Sequence, residues 1–261
     1  MGFYSPKEII PIVNALALSK AKTSNTKTFI LAILGGAYIA MGALLAIIIG
    51  GGVPEISAAN PGLQKLLFAA FFPLGLLLIA LAGGELFTGN TAYFIPLLIK
   101  GKISLKIPLK NWTVVFLGNF IGALFFALFF AYYTEVLKNE PWLSSTKNIG
   151  IAKVSAPFYV ALLKGVACNW LVALAMWLSF AAKSTTGKIL GIWFPIMAFV
   201  AMGFEHSIAN MFFIPTAIFY GADITWSAFF LNNLLPVTIG NIIGGALFVG
   251  GLYGYLYADE K

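Results

Sequence analysis

The sequence predicts an all-α membrane protein with six transmembrane helices, of which helices 2 and 5 are broken. Two observations support this fold class. Hydrophobic residues make up 60% of the 261 residues and charged residues only 10%, whereas about 25% of the residues in soluble domains are charged. The apolar residues also form runs of about 20 residues or more, the length that a helix needs to cross a bilayer.

The composition excludes several classes of protein. An ordinary soluble enzyme with so few charged residues would expose large apolar patches, and a disordered chain would contain far fewer hydrophobic residues. Cys168 has no second cysteine with which to form a disulfide. All 16 basic residues are lysines. Because arginine dominates the recognition of bases and phosphates, we expect no nucleic-acid partner.

The spans are read from the apolar runs. The second and fifth runs are too long for one simple helix, and each contains a polar segment with glycine. Each half looks too short to cross alone, so both are interpreted as broken helices. The six spans are residues 29–49, 66–99, 112–133, 158–181, 189–219 and 228–257. The residues that we assign to the breaks are Gly83, Glu85, Gly89, Asn90, Gly203 and Asn210.

Residues 1–27 precede the first span and predict an amphipathic helix at the cytoplasmic membrane surface. Ser5, Pro6 and Glu8 form a pattern typical of a helix start, in which Glu8 reaches back to the cap residue. With a cytoplasmic N-terminus, eleven lysines lie on the inner side, Lys261 among them, and five on the outer side. Because cytoplasmic loops carry the excess of lysine, both termini are predicted to be cytoplasmic. The protein itself is predicted to lie in the cell membrane.

The interrupted segments reveal an internal repeat. The segment GGELFTGN at residues 83–90 matches GFEHSIAN at 203–210 in its Gly, Glu and Asn residues. One helix later, GNFIG at 118–122 matches GNIIG at 240–244. The two offsets, 120 and 122 residues, are nearly equal, which indicates one duplicated unit rather than two chance matches.

The duplicated unit contains three spans, and this number determines its orientation. Because three is odd, the second copy enters the membrane from the opposite face. We therefore predict two inverted three-helix repeats, residues 28–133 and 157–257, within a single transmembrane domain that covers 1–261. Inverted repeats with broken helices are the architecture of transporters whose site lies at mid-membrane.

Charged groups inside the spans are the first candidates for function, because a charge in hydrocarbon costs roughly 2.5 kcal/mol or more. Glu85, Glu205 and His206 lie well inside predicted spans. We expect both carboxylates to cap backbone N–H groups at the breaks, and a role in proton movement stays open. His206 has no counterpart in the first repeat, where Leu86 takes its place. It can donate a hydrogen bond when neutral and carry charge when protonated.

The two breaks also favour an anion. The half-helix after each break points its positive N-terminal end inward, and Thr88 and Ser207 supply hydroxyl donors there. Leu86, Phe87 and Phe199 would narrow the path and exclude hydrated ions. With one histidine and one cysteine in the chain, we expect no metal and no cofactor.

Several segments resemble those of the formate/nitrite transporter family, in order and over nearly the whole chain. The resemblance implies an aquaporin-like protomer that assembles as a homopentamer with one pore per protomer. The Asn-Pro-Ala motif of the aquaporins themselves is absent. The segments are residues 83–90, GN at 118–119, KGVACNW at 164–170, GFEHSIANMF at 203–212 and GNIIGG at 240–245.

The resemblance implies roles for individual residues. His206 would be the central histidine, Thr88 the threonine of a flexible loop, and Lys153 the vestibule lysine that attracts anions. Leu86, Phe87 and Val172 would form the inner constriction, Phe72, Leu76 and Phe199 the outer one, and Asn169 and Asn241 would line the path, with Glu205 and Ser207 beside it.

The resulting hypothesis is the passage of a small monovalent anion, formate first, in contact with the lipid bilayer. A proton, coupled through the central histidine His206, would neutralise the anion, because dehydrating a bare charge in a dry pore is prohibitive. Nitrite, hydrosulfide and lactate stay alternatives within the family, and a neutral-solute or gas channel is an alternative of another class. An enzyme is not expected, since Ser207 and His206 are adjacent on one helix and form a poor nucleophile–base pair.

Overall fold

The computed structural model describes residues 2–258, and this part of the chain is helical throughout, with short connections. Lys261, counted above among the cytoplasmic lysines, lies outside the described residues. The principal helices are α1 Pro6–Lys22, α2 Asn25–Gly50, α3 Pro61–Gly83, α4 Phe87–Ile99, α5 Lys106–Tyr132, α6 Trp142–Val154, α7 Phe158–Ala181, α8 Thr185–Ala201, α9 Ser207–Phe219 and α10 Trp226–Tyr257.

Five of these helices, α2, α3, α5, α7 and α10, are long and apolar enough to cross a membrane. The runs predicted to be broken are indeed interrupted, the second between α3 and α4 and the fifth between α8 and α9. The expectation that each half is too short to cross alone is wrong for α3, which has 23 residues. This helix begins before the predicted residue 66, because the Asn60 side chain caps the Leu63 N–H at 3.0 Å.

Each break contains a glycine in the left-handed region, Gly83 with φ of 100° and Gly203 with φ of 71°. Residues with a Cβ rarely adopt such values, so both turns depend on glycine. The breaks are shorter than predicted. Gly89, Asn90 and Asn210 lie inside α4 and α9 rather than in the breaks. They are helical because asparagine side chains from neighbouring helices cap both helix starts.

Two helix pairs form the frame of the molecule, α2 with α5 and α7 with α10. Glycines allow both pairs to approach closely, as is typical of membrane helices. A Cβ on Gly122 of α5 would collide with the backbone of Ile33, and one on Gly244 of α10 would collide with the backbone of Val166. Gly122 and Gly244 are the last residues of the two repeated GNxIG segments.

The N-terminal helix α1 packs on the protein itself. Ile9, Ile10, Val13 and Ala17 are buried, and α1 contacts α4, α5, α7 and α10. The apolar face that the sequence assigns to the membrane surface is therefore covered by the helix bundle. At the start of the helix, the Glu8 carboxylate accepts hydrogen bonds from the Ser5 N–H and Oγ as predicted, and the Ser5 N–H bond lowers the pKa of Glu8.

We predict that Gly122→Ala destabilises the protein by about 1–3 kcal/mol, the usual cost of overpacking a tight contact. Gly62→Ala is the matched control, because its Cβ would meet only the Asn60 side chain at 3.5 Å. Thermal unfolding of both variants in detergent measures the difference. Equal unfolding temperatures for Gly122→Ala and the wild type would show that the α2–α5 contact tolerates a methyl group.

Candidate functional site

The two halves of the chain meet at a hydrogen bond between Thr88 and His206. Thr88 lies in the first turn of α4, and His206 is the residue before α9. The Thr88 Oγ1 and His206 Nε2 atoms are 3.0 Å apart, and both side chains are buried. The family resemblance predicted Thr88 on a flexible loop, whereas the structure places it in the first turn of a helix.

The second nitrogen of His206 determines the tautomer of the ring. Its Nδ1 atom accepts a hydrogen bond from the Ala209 N–H at 3.1 Å, so it carries no proton in this geometry. In the neutral ring the proton is on Nε2, which donates to Thr88 Oγ1. The imidazole also stacks on Phe199, with ring centroids 5.9 Å apart and an interplanar angle of 19°. The ring is held on one edge and one face.

Asn119 holds the start of α4. Its Oδ1 atom accepts the Phe87 N–H at 3.0 Å, and its Nδ2 atom donates to the carbonyls of Glu85 at 2.8 Å and Ala32 at 2.7 Å. The side chain is fully buried. One asparagine therefore satisfies backbone groups on both sides of the first break.

Asn241 does the same at the second break. Its Oδ1 atom accepts the Ser207 N–H at 2.9 Å, and its Nδ2 atom donates to the carbonyls of Gly165 at 2.8 Å and Glu205 at 3.0 Å. Asn241, predicted to line the path, is instead fully buried in a structural role. The prediction that the two glutamates cap the broken helices is wrong, because the asparagines take the N–H groups.

The Glu85 carboxylate is paired with side chains. Its Oε1 atom lies 2.5 Å from Lys20 Nζ, and its Oε2 atom accepts a hydrogen bond from Asn90 Nδ2 at 2.6 Å. Asn90 also donates to Asn111 Oδ1 at 2.8 Å. Both partners of the ion pair are largely buried, so each compensates the charge of the other.

The Glu205 carboxylate has an equivalent set of partners. Its Oε2 atom lies 3.0 Å from Lys153 Nζ and 2.7 Å from Asn210 Nδ2, which donates in turn to Asn233 Oδ1 at 2.7 Å. Lys153 lies in the last turn of helix α6 and is largely buried. The lysine predicted for an outer vestibule is thus one half of a buried ion pair.

Lys20 belongs to this site but is absent from the residues predicted for it. The sequence indicates only a helix at the membrane surface for residues 1–27, whereas the structure places Lys20 beside Glu85. One signal was available: a short helix precedes the first span of each half and carries a lysine at or near its end, Lys20 in α1 and Lys153 in α6. The two lysines are 133 residues apart rather than 120, so the offset of the broken segments alone does not relate them.

Two cavities approach the Thr88–His206 pair. We define the His206 cavity, of about 240 Å³, by Lys153, Glu205, His206, Phe72 and Phe199 in its lining. The N–H of Glu205, which lines this cavity, donates a hydrogen bond to the carbonyl of Lys164 in the N-terminal part of α7. The His206 cavity therefore lies near the N-terminal end of α7.

The second cavity, of about 330 Å³, is defined by Lys20, Glu85, Leu86, Gly89 and Tyr93 and is called the Lys20 cavity. Met176 and Phe180, near the other end of α7, also line it. The two cavities thus lie toward opposite ends of the protein.

Four of the six predicted constriction residues line these cavities, and Phe87 and Val172 line neither of the two. Phe72 and Phe199 meet edge to face, with ring centroids 5.8 Å apart, in the lining of the His206 cavity. Leu76, predicted beside them, lines the Lys20 cavity with Leu86 instead. Phe87 turns its ring onto Phe116 at 5.0 Å. Val172 is buried.

Asn169 and Ser207 are buried beside the central pair. Asn169 Nδ2 donates to Thr88 O at 3.1 Å, Thr91 Oγ1 at 2.9 Å and Asn241 O at 2.6 Å. Within residues 2–258, Asn169 Oδ1 and Ser207 Oγ have no hydrogen-bond partner. Asn169 therefore joins the start of α4 to α10.

Comparisons with known proteins identify the family of this chain. The family model described as formate/nitrite transporter matches residues 7–255. A probable formate transporter of Methanothermobacter thermautotrophicus is 46% identical, with 99% of each chain covered.

Two solved structures are similar along nearly their whole length. An FNT family ion channel has a TM-score of 0.86 and 31% identity, covering 97% of this chain and 99% of the other. A pentameric formate channel with formate bound has a TM-score of 0.79 and 34% identity, covering 90% of this chain and 98% of the other. The chain therefore belongs to the formate/nitrite transporter family, which comprises membrane transporters and channels rather than enzymes.

Proposed function

We propose that this protein carries formate across a membrane, and that the Thr88–His206 hydrogen bond between two lysine-bearing cavities is the centre of its path. That arrangement is the observation that carries the proposal. The names of the relatives support formate as the substrate, since one is a probable formate transporter and one solved channel has formate bound.

Anion capture is the first step. Lys153 and Lys20 provide a cation in each cavity, and each is balanced by a glutamate at 3.0 Å or closer. A lysine bound in this way attracts an arriving carboxylate with its remaining N–H donors. Because each cavity has little net charge, the anion is released again easily, as conduction requires.

Passage between the cavities is the second step. The aromatic rings of Phe72 and Phe199 and the side chain of Leu86 leave little water, so a bare anion would lose most of its hydration. We propose that formate takes a proton from hydronium in the cavity, which leaves water, and passes as formic acid. The proton returns to water on the other side. The His206 Nε2–H and the Thr88 hydroxyl are the donors that receive the formic acid. His206 stays neutral, because its Nδ1 atom is occupied by the Ala209 N–H.

The proposed assembly is a homopentamer in the cell membrane, with both termini in the cytoplasm. The pentameric state of the similar formate channel supports the assembly, and the excess of lysines on one side supports the orientation. The Lys20 cavity would then open to the cytoplasm. The equivalent contacts of Glu85 and Glu205 support two repeats, residues 28–133 and 157–257, which we propose to be inverted.

Transport itself is tested with formate and formamide, a neutral solute of similar size, in proteoliposomes. We expect formate uptake to exceed formamide uptake and to increase with an inward proton gradient. Equal rates for the two solutes, with no effect of the gradient, would indicate a neutral-solute channel instead. Nitrite, hydrosulfide and lactate in the same assay rank the alternative anions.

The role of His206 is tested through pH. A carboxylic acid of this type has a pKa of about 4, so the fraction of formic acid rises about tenfold for each unit that the pH falls between 8 and 5. We expect wild-type flux to follow this fraction. His206→Asn should keep the slope at a lower rate, because asparagine caps helix starts well and the proton comes from hydronium in the solvent.

His206→Phe should remove most transport, because it offers neither the cap for Ala209 nor a donor. Formate flux from about pH 5 to 8 for the three proteins provides the measurement. If His206→Asn loses the pH dependence, the imidazole itself carries the proton.

Lys153 is tested together with its partner. Lys153→Met alone leaves Glu205 buried and unpaired, which costs about 3–5 kcal/mol of stability. In Lys153→Met/Glu205→Gln the stability should recover. The formate concentration for half-maximal flux should remain about tenfold raised, because the ammonium N–H donors that bind the carboxylate are gone. Wild-type concentration dependence in the double variant would exclude anion capture by Lys153.

A further inference from the structure

The two lysines lie over aromatic rings at equivalent positions of the two halves. Lys20 Nζ is 5.7 Å from the centroid of Tyr93, and Lys153 Nζ is 5.3 Å from that of Phe213. Tyr93 and Phe213 are 120 residues apart, the offset that also relates the two broken segments. At this ring position the two lysine sites therefore differ by one hydroxyl group, that of Tyr93 in the Lys20 cavity.

The Tyr93 ring is held rigidly. Tyr93 is only 4% exposed, and its ring contacts Trp177 at 6.2 Å and Phe180 at 5.7 Å between centroids. Within residues 2–258, no protein group forms a hydrogen bond with its hydroxyl, and the hydroxyl is not among the fully buried groups without a partner. It is therefore open to the Lys20 cavity that Tyr93 lines, where water or a carboxylate oxygen can bond it.

Gly89 makes room for this hydroxyl. A Cβ on Gly89 would lie 2.9 Å from the Tyr93 hydroxyl oxygen. The equivalent residue of the second half is Ala209, so a helix start of this type accepts a methyl group. What Gly89 provides is therefore space, and the space is occupied by the hydroxyl, beside the first turn that carries Thr88.

We propose that the Tyr93 hydroxyl binds the carboxylate in the Lys20 cavity, as a neutral donor beside the Lys20 ammonium. This inference rests on the proposed transport of formate and adds a binding residue to it. Lys20 is already paired with Glu85, so a neutral donor adds affinity without adding charge. A hydroxyl both donates and accepts, and it can follow the substrate from formate to formic acid.

The proposal makes the two cavities chemically distinct. The His206 cavity contains an imidazole and Phe213, whereas the Lys20 cavity contains Leu86 and Tyr93 at the equivalent positions. At the first pair of equivalent positions the donor is His206, in the second half of the chain. At the other pair it is Tyr93, in the first half. Substrate affinity on the two sides of the membrane then depends on different residues.

Tyr93→Phe provides the test, because phenylalanine keeps the ring contacts and removes only the hydroxyl. Flux is measured in both directions in proteoliposomes in which the protein orientation is known from an accessible N-terminal tag. We expect the half-saturating formate concentration from the Lys20 side to rise about tenfold, as for a lost hydrogen bond to a charged group, and that from the His206 side to stay unchanged. Tyr253→Phe is the matched control, since Tyr253 contacts the same Trp177 ring.

Gly89→Ala gives an independent second test. Its methyl group displaces the hydroxyl, so it should weaken formate binding in the wild type and have little further effect in Tyr93→Phe. Equal effects in both backgrounds, or unchanged affinity in Tyr93→Phe, would overturn the assignment.

Binding is also measured without transport, from the line broadening of ¹³C-formate by the purified protein. We expect less broadening with Tyr93→Phe than with the wild type or Tyr253→Phe. If the wild type transports no formate, the proposed function fails. The binding comparison still decides the role of Tyr93, and equal broadening by all three proteins would exclude it.

Discussion

Backbone amides in a membrane need partners from within the protein, and the two broken helices are where this constraint is hardest to meet. Asn119 and Asn241 meet it, each with one accepted and two donated hydrogen bonds. Because these side chains come from α5 and α10, those helices must lie close to the breaks. The close α2–α5 and α7–α10 pairs, and the glycines that permit them, follow from this requirement.

The same constraint governs the charges. A carboxylate in a low-dielectric region is tolerated when it is paired and hydrogen-bonded, and Glu85 and Glu205 each have a lysine and an asparagine as partners. The lysines reach them from α1 and α6, helices outside the spans proper. The packing of α1 on the bundle therefore compensates a buried charge, since it places Lys20 beside Glu85.

Because the two halves of the chain share equivalent positions, the positions at which their residues differ indicate where the halves have different roles. Gly, Glu and Asn recur in both broken segments and build the same scaffold twice. In contrast, His206 corresponds to Leu86, and Tyr93 corresponds to Phe213, at equivalent positions of the repeat. Residues that recur hold backbone and charge in place. The residues that differ include the hydrogen-bonding groups His206 and Tyr93. The hydrogen bond between Thr88 and His206 joins one half of the chain to the other.

The sequence by itself determined the helical membrane fold, the two interruptions, the repeat and the residues His206 and Thr88, because span length and local motifs are properties of neighbouring residues. Only the tertiary structure decided which groups pair. Glu85 meets Lys20 across 65 residues and His206 meets Thr88 across 118, and no periodicity specifies such partners. The glutamates were predicted as caps for this reason: a local pattern favours a carboxylate near a helix start, whereas the asparagines that cap the helices approach from other helices in three dimensions.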